Sequence, residues 1–373
     1  MKLLFYKVCL VFFTLTTINS FAQTTIYKNS FSAKSLDFNL KNIPVKFIES
    51  KDDKIHFNFS IHFKNYTHKQ QDSIKSLFNF DIETRNNKLF VSIKSKNNLT
   101  TIQYINSEIK TKELSKILTK YVKSNIALNK EYQTKQDFLN YFNTEEKRIE
   151  DYTKTLKKDY SLKDNVLVSS PDFIISVPRK LLSNFYLNAD NCNIKMNDLT
   201  LKQSKVFVND SSIKIKKTEN SNITIHNGTG FIKELESTIA TLRNNSSFKI
   251  GILSNSNLIT ENTRLNIGEI TKFSDIKDYN SKFIFNNFGS NFDTFNFKGE
   301  YSNLKIYPPK NDYTLKAYGN SCSFIINGIT SKYGNKKGDK KYLMLKVKRK
   351  MKKDFAGNIK FDVINSIITF KDS

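Results

Sequence analysis

The 373-residue sequence has no tryptophan, only four histidines, three cysteines and five prolines. So few histidines and cysteines leave little material for a metal site or for histidine-based catalysis. His56 and His62 share the polar side of an alternating stretch, and His68 follows in a predicted turn. We therefore interpret all three as surface residues. The sequence predicts no catalytic, cofactor-binding or metal-binding residue, and hence no cofactor.

Long apolar runs are also missing, and the apolar stretch from Leu10 to Ile18 is too short to span a bilayer comfortably. Two lysines precede this stretch, and small residues precede Gln23, which is typical of a signal peptide cleaved between Ala22 and Gln23. We expect an exported chain, located in the periplasm, on the outer-membrane surface or outside the cell, with no transmembrane segment after cleavage. Cleavage leaves Cys192 and Cys322, either as a disulfide or as two buried thiols.

Acidic residues are few relative to basic ones, and the formal net charge is +25. Such a surplus attracts acidic polymers, and export disfavours nucleic acid as the partner. The most basic segments are "KKGDKK" (336–341) and "KVKRKMKKD" (346–354). They predict an acidic glycan as partner, with another envelope protein as the alternative. A charged strand edge that resists aggregation is an equally open interpretation.

Glycine is absent before Gly228, and this shift in composition helps to divide the chain. Residues 23–104 read as a β-rich N-terminal region, with strands predicted at Pro44–Ile48, across "KIHFNFSIHFK" and at Lys88–Ser95. A short helix is predicted around His68 to Phe78. Pro171 and Pro178 bracket a further strand, which predicts either an edge strand or the entry strand of the β region that follows.

Residues 105–165 contain no glycine or proline, and their apolar residues recur at helical spacing. Two or three amphipathic helices are predicted in this segment, which we interpret as a helical insertion. It is followed by a predicted solenoid at 166–333 and by C-terminal strands at 334–373 that complete or cap it.

One short template recurs after residue 190: a small polar residue followed by apolar-x-apolar. The copies are "NIKM" (193–196), "SIKI" (212–215), "NITI" (222–225), "SFKI" (247–250), "NLKI" (303–306), "SFII" (323–326) and "NIKF" (358–361). Several copies are separated by nearly the same interval, as from Ile194 to Ile213 and from Leu304 to Phe324. We expect Ile194, Ile213, Phe248, Ile267, Phe283 and Leu304 to lie one above another.

A period of about 20 residues with short strands is typical of a β-solenoid, in which only the apolar-x-apolar positions face the core. Asn and Ser are expected at the bends, where they tolerate left-handed geometry. The shorter step from Ile213 to Ile223 does not fit this period and favours the alternative, an ordinary β-sandwich. The predicted fold is mainly β, a β-solenoid with a β-rich N-terminal region and a helical insertion.

The strand beginning "PVKF", the "VP" at Val177 and Pro178, and the run of "N-I-x-I" turns resemble a family of bacterial envelope proteins described as putative adhesins or autotransporter-adhesin head-like domains. The resemblance covers Lys41 to Ser95 and Pro171 to Phe370, and the lysine- and asparagine-rich composition is similar to members from the Bacteroidetes. It implies a right-handed β-helix and no known catalytic residues. An Asn-Gly pair survives only at Gly228 and Gly328.

The leading functional prediction is an exported, non-enzymatic envelope protein, adhesin-like or a structural binding platform. A periplasmic interaction or signalling partner, using the helical insertion as its contact surface, is the first alternative. The second is a polysaccharide-active β-helix enzyme, which needs paired carboxylates on one face. Asp275, Asp278 and Asp293 are the nearest approach to such a set.

Overall fold

The computed structural model describes residues 22–97, 102–104, 166–326, 329–333, 341–347 and 355–371, and eight positions between 136 and 154. The protein is mainly β. The described residues form 26 strands that hydrogen bonds join into one large sheet. One α-helix, α1 (His68–Lys75), is described from end to end, and a 3₁₀ turn spans Arg179–Leu182. Residues 1–21 of the predicted signal peptide lie outside the described part.

The strands of the N-terminal half are β1 (Ala22–Phe31), β2 (Ser35–Lys41), β3 (Pro44–Glu49), β4 (Ile55–Lys64), β5 (Phe78–Arg85), β6 (Lys88–Ser95), β7 (Ile102–Tyr104), β8 (Val166–Val177), β9 (Tyr186–Asp190), β10 (Asn193–Lys202), β11 (Lys205–Asn209), β12 (Ser212–Glu219) and β13 (Asn222–His226). The strands that follow are β14 (Thr229–Glu236), β15 (Ile239–Arg243), β16 (Ser247–Glu261), β17 (Arg264–Tyr279), β18 (Lys282–Phe285), β19 (Phe288–Glu300), β20 (Asn303–Ile306), β21 (Asp312–Asn320), β22 (Cys322–Ile326), β23 (Ile329–Tyr333), β24 (Lys341–Val347), β25 (Phe355–Ile364) and β26 (Ile367–Phe370).

The predicted N-terminal elements are present. Ile55, Phe57, Phe59, Ile61 and Phe63 alternate along β4 and are all buried. The helix α1 begins after a Thr67 capping box, in which the Thr67 side chain accepts the backbone N–H of Gln70 and the Gln70 side-chain oxygen accepts the backbone N–H of Thr67. Strand β4 pairs antiparallel with β1 and β8, whereas β3 pairs parallel with β8 and β2 with β6, so this end of the sheet is mixed.

Of the two interpretations of the proline-bracketed strand, the sheet edge is wrong, whereas the entry strand stays a prediction. Residues Ile174 to Ser176 of β8 pair with β3 on one side and with β4 on the other. Pro171 precedes this doubly paired stretch and Pro178 follows it, so neither proline removes a donor that the second partner strand needs.

Between β9 and β20 the pairing is parallel, and three ladders of strands run side by side. The first ladder joins β9, β11, β13, β15 and the C-terminal ends of β16, β17 and β19, and it continues into β2 at one end and into β25 and β21 at the other. The second joins the N-terminal ends of β10, β12, β14, β16 and β17 to β18 and β20. The third joins the remaining parts of β10, β12, β14, β16 and β17 to the start of β19.

The chain returns to each ladder at a nearly constant interval along the sequence, and we call each such return a pass. One pass visits the second, the third and then the first ladder, as residues 193–196, 200–202 and 205–209 do. The short step from Ile213 to Ile223 is therefore the distance from the second ladder to the first within one pass, because Ile223 aligns with Val206. It is not an irregularity of the repeat.

The inward side chains of the first ladder form one continuous buried column. They are Phe38, Leu187, Val206, Ile223, Ala240, Leu258, Ile276, Phe297, Phe361 and Ala317, each at most 2% exposed. Burying one such Val, Leu, Ile or Phe side chain stabilises the fold by roughly 1.5–3 kcal/mol. The three ladders share one hydrophobic cluster.

The second ladder confirms most of the predicted vertical alignment and corrects part of it. Its column contains Val45, Ile194, Ile213, Gly230, Phe248, Leu265, Phe283, Leu304, Ile368 and Phe324 in spatial order. Ile267 belongs to the adjacent column, beside Ile250, and Ile368 separates Leu304 from Phe324. Each strand offers two inward positions, so the sequence spacing alone does not tell which of the two aligns.

Each pass turns through residues with left-handed backbone, as predicted for the Asn-rich bends. Between the first and second ladders they are Asn42, Asn191, Asp210, Asn227, Asn244, Asn262, Asn280, Tyr301, Ser321 and Asn365, with φ between 47° and 57°. Seven of these ten are Asn, which tolerates this conformation better than most residues. The chain thus turns at the same place in every pass.

A small polar side chain follows the left-handed residue and bonds back to the carbonyl two residues earlier. Ser211 donates to Asn209 in this way, and Thr263 to Glu261. The same oxygen accepts the backbone N–H of the neighbouring pass, as Ser281 Oγ does from Thr263 at 3.0 Å. These buried bonds hold successive passes in register.

Candidate binding surface

No catalytic, metal or cofactor residue was predicted, and the described part of the chain contains no cluster of three or more His, Cys, Asp or Glu side chains able to hold a metal. Ala22 and Gln23, the predicted cleavage residues, stand at the start of β1. The Gln23 amide donates to Ser60 Oγ at 2.7 Å. No helix of the described residues is long and apolar enough to cross a membrane.

Cys192 and Cys322 are free thiols, and both are buried. Each occupies the position after a left-handed turn residue that Ser or Thr fills in other passes. Cys192 Sγ donates to the carbonyl of Asp190, as Cys322 Sγ does to that of Asn320. Burial raises the pKa of Cys192 to about 11, so this thiol is protonated and unreactive at neutral pH.

His56 has two partners that the sequence did not reveal. Its Nε2 lies 2.7 Å from Asp52 Oδ1, and its Nδ1 lies 2.7 Å from Ser30 Oγ. The Asp52 carboxylate also accepts from Ser50 Oγ and from the backbone of Lys54. The hydrogen bonds to the carboxylate, that from His56 above all and then that from the Lys54 backbone, lower the pKa of Asp52 to about 2. The arrangement links the turn between β3 and β4 to β1.

Beside that turn lies a shallow groove of about 810 Å³ lined by Glu49–Asp53 and Pro178–Lys180. One ion pair crosses it, since Lys180 Nζ lies 2.8 Å from Asp53 Oδ1. The groove is open to solvent and contains no buried polar group pointing into it among its lining residues.

The carboxylates considered in the sequence do not form a pair on one face. Asp275 points outward from the first ladder, whereas Asp278 is buried and accepts from Thr260 and Ser302. Strand alternation places them on opposite sides of the sheet. Asp293 lies before the part of β19 that pairs in the first ladder.

The outer side of the second ladder is partly covered. Phe231 and Asn266 occupy outward positions but are 7% and 1% exposed. Leu139, a helical residue of the predicted insertion, is 8% exposed, and its Cδ2 would lie 3.2 Å from a β-carbon placed on Gly251. Most residues of the insertion and of the two basic segments lie outside the described part of the chain. The second ladder is therefore not a free surface.

The outer side of the first ladder is open, and it carries most of the exposed large hydrophobic side chains. Nine such side chains occur among the described residues. Six point outward from this ladder, and a seventh, Tyr301, stands at its corner. The six are Tyr186, Phe207, Ile239, Ile259, Tyr279 and Tyr318. The two remaining are Phe273 and Ile367.

We define the ring-bearing face as the outward positions of 186–190, 205–209, 222–226, 239–243, 257–261 and 275–279. These six neighbouring strands offer three outward positions each, and none of these residues is buried. The apolar and ring members are Tyr186, Phe207, His226, Ile239, Ile259 and Tyr279. The uncharged polar members are Asn188, Asn209, Asn222, Thr224, Thr241 and Asn257. The charged members are Asp190, Lys205, Arg243, Glu261, Asp275 and Lys277.

Rings on this face contact one another across strands. The rings of Phe207 and His226 are 5.5 Å apart, and those of Tyr279 and Tyr301 are 5.8 Å apart, both in edge-to-face geometry. The charged groups pair locally: Lys41 Nζ lies 3.0 Å from Asp190, and Arg243 Nε lies 3.3 Å from Glu261. The backbone below is a regular parallel ladder, so these side chains are held on a rigid support.

No protein-family model matches the chain, and no curated protein matches it. A solved structure of a protein described as a "putative cell adhesion protein" from Clostridium sporogenes is similar at 8% identity, with a TM-score of 0.20, over 94% of this chain and 100% of that one. A likeness of this size carries no argument about this chain.

Proposed function

We propose that the chain is an exported, non-enzymatic cell-envelope protein, adhesin-like, that winds as a right-handed β-solenoid and binds through its ring-bearing face. Among the described residues, five of the nine exposed large hydrophobic side chains lie on the ring-bearing face and a sixth, Tyr301, adjoins it, and this concentration carries the proposal. Exposed apolar groups concentrated on one surface mark interaction sites, whereas scattered ones do not.

The solenoid is supported by the parallel ladders and by the nearly constant step from one pass to the next. A sandwich of the immunoglobulin kind pairs its strands antiparallel, whereas β9 to β20 pair in parallel with the equivalent strand of the next pass. Right-handed winding is supported by the strong preference of parallel strand connections for that hand. Export is supported by the sequence features of residues 1–22.

Attachment of coated beads tests the binding role. Beads carrying the purified full chain are expected to adhere to bacterial or host cell surfaces. Beads carrying the triple variant Tyr186→Ala, Phe207→Ala and Tyr279→Ala should adhere much less. The off-face variant Phe273→Ala is the matched control, since Phe273 is similarly exposed at 38%. Equal adhesion by all three proteins would contradict the proposal. Surface labelling of intact cells tests export.

A further inference from the structure

The ring-bearing face is electrically balanced although the chain as a whole is not. Its six charged residues are three acidic and three basic, in a chain of net charge +25. The pairs described above neutralise some of these charges directly. A face built to attract an anionic polymer would carry an excess of Lys and Arg. Charge therefore argues against an acidic ligand at this face.

The apolar groups on the face are interspersed with polar and charged groups, which argues against a protein partner. Protein interfaces concentrate their apolar contacts in a core from which charge is depleted. Here four of the six strands mix apolar, amide or hydroxyl, and charged side chains, as the outward Ile239, Thr241 and Arg243 of β15 do. Rings alternating with amide and hydroxyl groups suit a ligand whose own surface alternates between C–H patches and hydroxyls.

A sugar polymer has such a surface. The C–H side of a pyranose ring packs on an aromatic ring, while its hydroxyls hydrogen-bond to Asn and Thr side chains. Successive strands of the ladder are about 4.8 Å apart, close to the length of one sugar in an extended chain. From Tyr186 to Tyr279 the face extends about 24 Å, the length of a short oligosaccharide.

We infer that the ring-bearing face binds an extended, uncharged polysaccharide that runs across the strands, with its sugar rings packed on Tyr186, Phe207 and Tyr279. This inference rests on the proposed binding function and names its ligand class. It places the glycan on the first ladder and makes it neutral, in contrast to the acidic glycan that the basic C-terminal segments predict.

Depletion of the purified full chain from solution by insoluble cellulose, chitin and mixed-linkage β-glucan tests the inference, at low and at high salt. The wild-type protein is expected to bind at least one of these neutral polymers equally well at both salt concentrations. The triple alanine variant should bind at least about tenfold more weakly, because three ring contacts are lost. Phe273→Ala should bind as the wild type does. The variant Tyr186→Phe, Phe207→Tyr and Tyr279→Phe keeps the rings and should also keep binding.

Circular dichroism and thermal unfolding of every variant check that the outward substitutions leave the fold intact. Failure of the wild type to bind any neutral polymer, or equal binding by the triple alanine variant, overturns the inference. Alginate, an acidic polysaccharide, serves as the charged comparison. Binding to alginate alone, lost at high salt, also overturns the inference and points to the basic segments. If cell attachment depends on the face while no neutral polymer binds, the glycan assignment fails and the adhesive role stands. If neutral polymers bind through the face but cells do not attach, the adhesive role fails instead.

Discussion

At the scale of single residues, the buried hydroxyl groups at the turns connect neighbouring passes. Thr263 is 1% exposed; its Oγ1 donates to the Glu261 carbonyl at 2.9 Å and accepts the Asn245 N–H at 3.4 Å. A backbone N–H that loses its partner inside a protein retains its desolvation cost. The turn hydroxyls therefore stabilise the fold through the groups they satisfy as well as through their own bonds.

Replacing Thr263 by Val tests this role, since Val keeps the shape of Thr and lacks the hydroxyl. We expect Thr263→Val to lower the free energy of unfolding by about 1–3 kcal/mol in urea denaturation, because the Asn245 N–H is left without its acceptor. Thr241→Val is the matched control on the ring-bearing face and should change stability by less than about 0.5 kcal/mol. Equal effects of the two substitutions would contradict the role of the turn hydroxyls.

The hydrogen bonds that link Ser30, His56 and Asp52 predict a shifted pKa for the Asp52 carboxyl group. The folded pKa of Asp52 is about 2, below its ordinary value of 3.8, mainly because His56 donates a hydrogen bond to the carboxylate. A depressed carboxyl pKa contributes stability that is present above the ordinary pKa and is lost as the pH falls through the folded pKa. Carboxyl NMR titration should find the Asp52 pKa at about 2 in the wild type and higher in His56→Phe. An unchanged pKa in the variant would show that His56 is not the cause.

At the scale of secondary-structure elements, the columns depend on complementary sizes in neighbouring strands. Gly230 occupies an inward position of β14 between Ile213 and Phe248. A β-carbon there would lie 2.6 Å from Phe248 Cε2 and 2.7 Å from the Ile213 carbonyl oxygen. The missing side chain at Gly230 makes room for the phenylalanine ring in the next strand.

We therefore expect Gly230→Ala to lower the free energy of unfolding by about 1–3 kcal/mol, because the added methyl group overpacks the column. Adding Phe248→Leu removes the ring and should recover part of this loss, so that the double variant is more stable than the sum of the two single effects predicts. Thermal and urea unfolding of the four proteins measure this coupling. Purely additive effects would mean that Gly230 is required for another reason.

Several elements could be predicted from the sequence because local patterns determine them. The alternation in "KIHFNFSIHFK" predicted β4, and the Asn and Ser residues between the apolar pairs predicted the bends. The predicted position of Ile267 was wrong, since two inward sites per strand are equivalent in the sequence and only pairing chooses between them. The double pairing of β8 was missed for a similar reason, because its partner strands β3 and β4 lie far away in the sequence.

The candidate surface was harder to predict. Tyr186 and Phe207 are about one pass apart along the chain, and Tyr279 lies several passes further on. Each alone is an ordinary exposed aromatic residue. They share a face only because the first ladder aligns their strands. Composition drew attention to the basic segments instead, since charge is visible without register.

At the scale of the whole molecule, the order of the passes in space differs from their order in the sequence. The last strands, β25 and β26, insert between the pair β19 and β20 and the pair β21 and β22. Residues 355–371 therefore complete ladders on both sides, although β21 to β24 lie between β20 and β25 in the sequence. The pass that contains β21 and β22 therefore cannot pair with its neighbours β25 and β26 until the C-terminal end of the chain is in place.

Phe361 tests how strongly this last pass holds the end of the sheet. Its ring is 1% exposed and packs between Phe297 of β19 and Phe324 of β22, with ring centroids 6.2 Å from Phe297 and 6.1 Å from Phe324. We expect Phe361→Ala to lower the free energy of unfolding by about 3–5 kcal/mol, because the cavity opens between two passes and neither can close it alone. Tyr318→Ala, an outward ring on the adjacent β21 that is 44% exposed, is the control and should cost less than about 1 kcal/mol. If both variants unfold at the same urea concentration as the wild type, residues 355–371 do not join the two neighbouring passes in solution.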